Sequence, residues 1–266
     1  MLPTRRILLW TLIAASALFA AASSSAESPF DGSWKTDLSR TKFSPKPLTF
    51  YTSAGWYHCV SCTPAFDVLA DGQDHGVPGQ SYDTIRVTIV DAHTISVSGK
   101  KGADVTFEQT RTVSSDGRTL TVKSTGHPVS GGPPTNFETT ARRSGALPSG
   151  AHATSGDWII EKQTGSSNAL LTTYKTNGDE LTMTSPTGET YTAKFDGSDY
   201  PYRGAHSFDA VELKKINTHS IEEIDKRAGA VVDDSIMTVS ANGKTMTVVD
   251  TSQPTGRVST YVAIKQ

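Results

Sequence analysis

Cysteine is almost missing from this chain: Cys59 and Cys62 are the only two in 266 residues. That excludes a disulfide-dense scaffold and a four-cysteine metal site, so the fold must rest on a core. Basic residues are thin and scattered, 25 Lys and Arg against 27 Asp and Glu, with no dense cluster. Phosphate backbones need a concentrated basic surface, so no nucleic-acid partner is expected. Only one long apolar run occurs, Ile7 to Ala22. Nothing after it has the ~20 apolar residues a spanning helix takes, so no membrane span is expected once the leader is cleaved. The chain also lacks G-x-S-x-G, H-E-x-x-H, P-loop, Rossmann-glycine and EF-hand patterns. The linear sequence therefore supplies no catalytic residue, no metal ligand set and no cofactor.

The apolar run marks the first segment. Arg5 and Arg6 precede it and Ser24-Ser25-Ala26 follows, the layout of a secretory signal peptide over residues 1–26. A periplasmic or secreted protein is expected. No cysteine follows the run to carry a lipid.

What the rest of the chain has is alternation. TIRVTIV, HTISVSG, VTFEQTRTV and TLTVKST place branched or apolar residues at every second position, as half-buried strands do. Asp-Gly and Asn-Gly pairs separate them (Asp71-Gly72, Asp116-Gly117, Asn177-Gly178, Asp196-Gly197, Asn242-Gly243), the dipeptides of tight hairpin turns. Ile221–Asp234 looks helical in isolation, but its counterpart earlier in the chain reads strand–turn–strand, so it is assigned the same. A short helix is expected near Leu38–Ser44.

That counterpart exists because the chain repeats itself. Val113–Val122 (VSSDGRTLTV) matches Val239–Val248 (VSANGKTMTV), and Tyr82–Val97 lies over Phe208–Glu223. Ala70–Asp74 matches Phe195–Asp199, and Asp31–Asp37 (DGSWKTD) matches Ser155–Glu161 (SGDWIIE). Four blocks in one order at a near-constant offset predict a duplicated unit of roughly 115 residues. Residues 27–144 form the first expected domain and 154–266 the second, with 145–153, rich in Gly, Ser, Ala and Pro, as linker. Many short strands joined by tight turns dispose of their edges most simply by closing, so each unit is expected to be an antiparallel up-and-down barrel. A sandwich per repeat, or one joint sheet, is the alternative.

Each unit opens with Gly-x-Trp, Gly32-Ser33-Trp34 and Gly156-Asp157-Trp158. Together with GSWKTDLSRTKFS, DGSDYPYRG and VSANGKTMTV, this resembles the small exported bacterial lipocalin-like proteins. The resemblance implies that Trp34 and Trp158 plug the closed ends of their barrels. It also implies that a basic residue of the last strand stacks over each ring, Arg142 in the first unit and Lys265 in the second. Unit two departs from the pattern at Ile159-Ile160, and unit one has Asp74-His75-Gly76 in place of the Asp-Tyr-Pro turn.

The repeat also reads the cysteine pair. Cys59-Val60-Ser61-Cys62 lies over Thr184-Ser185-Pro186-Thr187, a hairpin turn, so the cysteines flank a turn on neighbouring strand ends. In an oxidising compartment they are expected to form a disulfide. A redox pair would want a helix N-terminus, and a metal site would need two more ligands, with His58 and His75 the nearest candidates.

Asp71, Asp74 and His75 are read as a turn, and His93 and His219 as solvated turn histidines. The aromatics Phe50, Tyr51, Trp56, Tyr57 and Phe66, with Tyr174, Tyr191, Tyr200 and Tyr202 in the second unit, either fill the barrels or line a pocket. The expected function is that of a monomeric, non-catalytic binding protein, able to carry a small apolar or amphipathic molecule. The alternatives are a surface interaction module using the loops Gly126–Pro134 and Asp199–Gly204, and an enzyme whose site leaves no linear motif.

Overall fold

A computed structural model describes residues 28–266 except Pro254; the expected signal peptide, residues 1–26, lies outside the described residues. The chain is all-β. After β1 (Gly32–Thr36) and a 3₁₀ turn at Leu38–Arg40 come β2 (Leu48–Ser53), β3 (Trp56–Cys59), β4 (Phe66–Leu69), β5 (Asp71–Gly76) and β6 (Thr84–Asp91). Next are β7 (Thr94–Lys101), β8 (Asp104–Val113), β9 (Thr119–Gly126), β10 (Thr135–Arg143) and β11 (Gly156–Gly165). A second 3₁₀ turn at Ser167–Ala169 leads to β12 (Leu171–Asn177), β13 (Glu180–Thr184), β14 (Thr190–Lys194), β15 (Asp196–Pro201) and β16 (Ala210–Asn217). The last four are β17 (Ser220–Arg227), β18 (Ala230–Val239), β19 (Thr245–Ser252) and β20 (Arg257–Lys265).

These strands make two nearly closed, ten-stranded antiparallel barrels with the same internal order. One runs β4-β3-β2-β11-β10-β9-β8-β7-β6-β5, the other β14-β13-β12-β1-β20-β19-β18-β17-β16-β15. In the first, edge strands β4 and β5 meet at Ala70, whose N–H bonds the Gly55 carbonyl at 2.8 Å. In the second, Thr190 and Arg203 bridge the two edges with a pair of 2.9 Å backbone bonds. The helical-looking Ile221–Asp234 segment is β17 turning into β18, and the expected helix near Leu38 is a single 3₁₀ turn.

The strand order corrects the expected assignment of the first strands. β1 pairs with β12 and β20, so it belongs to the second barrel. β11, the opening strand of the second repeat, pairs with β10 and β2 in the first barrel. Residues 48–165 therefore build the first barrel as one uninterrupted stretch, and β1 with residues 171–265 builds the second around it. The physical cause is the segment expected to be a free linker. It is bound to the floor of the first barrel: His152 N–H bonds the Thr52 carbonyl at 2.7 Å, Ala151 bridges Ser53, and His152 Nε2 meets the Asp91 carbonyl at 2.6 Å. β10 is thereby returned as a hairpin onto β11, the ordinary fate of consecutive strands. The slot beside β20 is left for β1.

Each barrel has its own core. Tyr57, Ile95, Val97, Leu120 and Trp158 anchor the first; Trp34, Leu181, Tyr191, Leu213 and Ile221 anchor the second. Burying each such side chain contributes about 1.5–3 kcal/mol.

Candidate functional site

The closed ends of the two barrels are built alike, which explains the Gly-x-Trp motif. Trp158 Nε1–H donates to the Thr154 carbonyl at 2.9 Å, and Trp34 Nε1–H to the Phe30 carbonyl at 2.8 Å, so both buried indoles are satisfied. Gly156 and Gly32 have φ of 125° and 116°, and a Cβ on either would stand 2.7 Å from the basic side chain above the ring. Glycine is thus required twice over, by conformation and by close approach.

Those basic residues are not the expected pairs. Arg143, not Arg142, lies over Trp158, 4.2 Å from the ring to the guanidinium carbon. Strand parity is the reason: Ala141 and Arg143 point inward, and Arg142 points to solvent, where it pairs with Glu161 at 3.1 Å. Arg143 also donates to the carbonyls of Gly117 (2.6 Å), Ala153 (2.6 Å) and Ser155. Lys265 does sit over a tryptophan, but over Trp34 at 5.6 Å, as the exchanged β1 demands.

Above its floor, the first barrel holds a cavity of about 340 Å³. Its walls include Phe50, Tyr57, Leu120, Val122, Ile160 and the Cys59–Cys62 disulfide, with Trp158 below. The cavity lies at a seam. β11 pairs with β2 only from Gly156 to Trp158, then runs on to Gly165 beside β10 alone. Among the residues that line the cavity stands one cation, Arg111. Its Nη1 donates to the Tyr57 hydroxyl at 2.8 Å, and Nε and Nη2 donate to Gln109 Oε1 at 3.1 and 2.8 Å. The guanidinium lies 4.6 Å from the Phe50 ring centre. Every one of these partners is neutral.

The second barrel reverses the charge. At the positions matching Val97, Gly99, Phe107 and Ser124 it carries Glu223, Asp225, Asp233 and Asp250, and Met237 replaces Arg111. Register places them together: Glu223 lies opposite Ser235, Asp225 opposite Asp233, and Ser235 opposite Asp250. The Tyr191 hydroxyl donates to Glu223 Oε2 at 2.5 Å, and the Ser235 hydroxyl to Asp250 at 3.0 Å. Asp225 Oδ1 is buried without a partner. Burial pushes the Asp250 carboxyl up to about 6 and that of Asp233 above its usual range. Glu223 and Asp225 rise further, through burial and, for Asp225, repulsion from Glu223. Tyr174 and Tyr191 are held protonated by burial and by the same acids.

The remaining candidates fall into place around these two interiors. Cys59 and Cys62 are disulfide-bonded across the β3–β4 turn, Cα–Cα 5.4 Å. Of the aromatics, Phe50, Tyr57, Tyr174 and Tyr191 face inward and are buried, whereas Trp56 is exposed. Asp71–His75 is a bulged strand rather than a turn: Asp71 bonds His75 at 2.8 Å, and Asp74 holds Arg86 and Lys100 at 2.8 and 2.7 Å. His93 and His219 are exposed at turns. Among the described residues no group of three or more His, Cys, Asp or Glu is arranged to hold a metal, and no helix is long and apolar enough to cross a membrane. Comparison with family models, with curated proteins and with solved structures finds no match.

Proposed function

We propose that the chain is an exported, non-catalytic binding protein of lipocalin-like type that carries one small amphipathic or apolar molecule in its first barrel. The observation that carries this reading is the 340 Å³ cavity above Trp158, apolar in most of its walls and served by a few fixed polar groups. Such a composition suits small-molecule sites, which take orientation from a few donors and affinity from apolar walls. Of the two loops available to a surface module, Gly126–Pro134 is engaged with the second barrel. The Ser130 hydroxyl donates to the Thr187 carbonyl at 2.6 Å, and His206 Nε2 meets the His127 carbonyl at 3.0 Å.

A second reading attaches to the second barrel, where Glu223, Asp225 and Asp250 have raised pKa values and converge near Tyr191. Acids poised in this way suit proton transfer. The Ser235 hydroxyl bonds Asp250, but among the described residues no histidine is hydrogen-bonded to that pair, so carriage ranks first.

Native mass spectrometry of the full chain, purified from the exported fraction without reductant, tests the proposal. A discrete added mass that is lost on denaturation, and absent from a cavity-filling Val122→Trp variant, is expected. Bare protein in every fresh preparation overturns it.

A further inference from the structure

We infer that the first barrel's cavity takes an amphipathic anion, its carboxylate seated on Arg111, and that the duplicated chain holds one such molecule rather than two. This rests on the carrier reading and names its ligand class.

A guanidinium has five N–H donors. Three are used inside the protein, on Gln109 and Tyr57, which leaves one hydrogen on each terminal nitrogen. Two donors on the two terminal nitrogens match the two oxygens of a carboxylate. The charge itself is uncompensated: a hydroxyl, an amide oxygen and the faces of Phe50 and Tyr57 surround it. Arg111 is half-buried at the cavity with neutral partners only, so an arriving carboxylate supplies the charged partner it lacks. The protein holds Arg111 in place beforehand. Gln109 clamps one edge, and the Phe50 and Tyr57 rings, 6.1 Å apart, flank the other side. The ligand is therefore spared the work of ordering the side chain. Leu120, Val122, Ala141 and Ile160 supply wall for an apolar body. A fully polar anion would leave that wall unused.

The second barrel cannot host the same ligand. Met237 occupies the Arg111 position and is buried, with the Tyr174 hydroxyl 3.6 Å from its sulfur. Asp250 takes the place of Ser124, and Glu223, Asp225 and Asp233 stand nearby. An anion there would meet four carboxyls, with Met237 where the first barrel has its cation. Duplication has thus produced two barrels of opposite interior charge.

The test is titration calorimetry of the full chain at pH 7.5 with decanoate and, as its uncharged analogue, decanol. Decanoate is expected to bind at one site per chain, about 10-fold or more tighter than decanol. Arg111→Gln should bring decanoate down to the level of decanol and leave decanol unchanged, with an unaltered near-ultraviolet dichroism spectrum. Arg111→Lys, which keeps the charge but not the fork, should recover part of the preference. Equal affinity for decanoate and decanol in the parent chain, or two decanoates per chain, overturns the inference while leaving carriage standing. Failure of both probes in the parent chain removes the carrier reading with it.

Discussion

Lys265, one residue from the end of the chain, lies over Trp34, in the first strand the structure describes, with Nζ 5.6 Å from the ring centre. The first and last strands of the described residues thus pair in a single barrel, and the other barrel is threaded between them. The last backbone group follows suit: Gln266 N–H bonds the Ser33 carbonyl at 2.9 Å.

This exchange is open to direct cross-linking. Ser33 and Thr173 are register partners with hydroxyls 2.7 Å apart. Ser33→Cys with Thr173→Cys should form a disulfide in the intact monomer, detected as a loss of two hydrogens by mass. Were β1 instead in the first barrel, Ser33 would take the place of Asp157 beside Thr49, and Ser33→Cys with Thr49→Cys would bridge. The first pair is expected to close and the second to stay reduced.

Neighbouring arginines give a sharp contrast. Arg143 covers Trp158 and satisfies three carbonyls, whereas Arg142 is exposed with one surface ion pair. Arg143→Ala should cost about 2–4 kcal/mol in chemical denaturation, because it uncovers an indole and strands buried acceptors. Arg142→Ala should cost no more than about 0.5 kcal/mol. Equal effects would place the wrong residue over the ring.

How much of this could be read beforehand follows from parity. The strands, turns and barrels were legible because alternation and Asp-Gly or Asn-Gly turns recur at even spacing. Arg143 was legible too: Ala141 and Arg143 share a parity that Arg142 lacks, but the doubled arginine hid it. Arg111 has the same parity as the inward Phe107 and Val113, so its inward placement was available to a reader who did not assume that inward means apolar. Glu223 and Asp225 likewise share the parity of Ile221. The exchange of β1 and β11 was not legible. Both strands carry Gly-x-Trp and fit either slot, so connectivity and the pinned His152 segment decide, and neither leaves a local pattern.

The acidic interior sets a pH dependence. Glu223, Asp225, Asp233 and Asp250 bind protons more tightly in the fold than in the unfolded chain, whose carboxyls titrate near about 4. Folding therefore takes up protons between that value and the raised ones, about 6 for Asp250 and higher for Glu223 and Asp225. Stability falls as pH rises through that window and levels off above it. The melting temperature at pH 5 should exceed that at pH 8 by about 5 °C or more. Asp225→Asn should remove much of the difference and stabilise the protein at pH 8 by about 1–3 kcal/mol. A melting temperature that rises from pH 5 to pH 8 would contradict the burial of these acids.

The disulfide should matter little to stability. It closes a loop with only Val60 and Ser61 between Cys59 and Cys62, and such short closure contributes about 2 kcal/mol. The matching turn in the second barrel manages with Ser185 and Thr187 hydroxyls 2.5 Å apart. Cys59→Ala with Cys62→Ala should remain folded at 25 °C with a loss near that figure, read from urea unfolding midpoints.

The most direct measurement of the central claim is a crystal structure of the full chain grown with decanoate. One molecule is expected, inside the first barrel, its carboxylate within hydrogen-bond reach of both terminal nitrogens of Arg111, with the second barrel free of it. Decanoate in the second barrel, or in neither interior with the Arg111 cavity unchanged, would contradict the account.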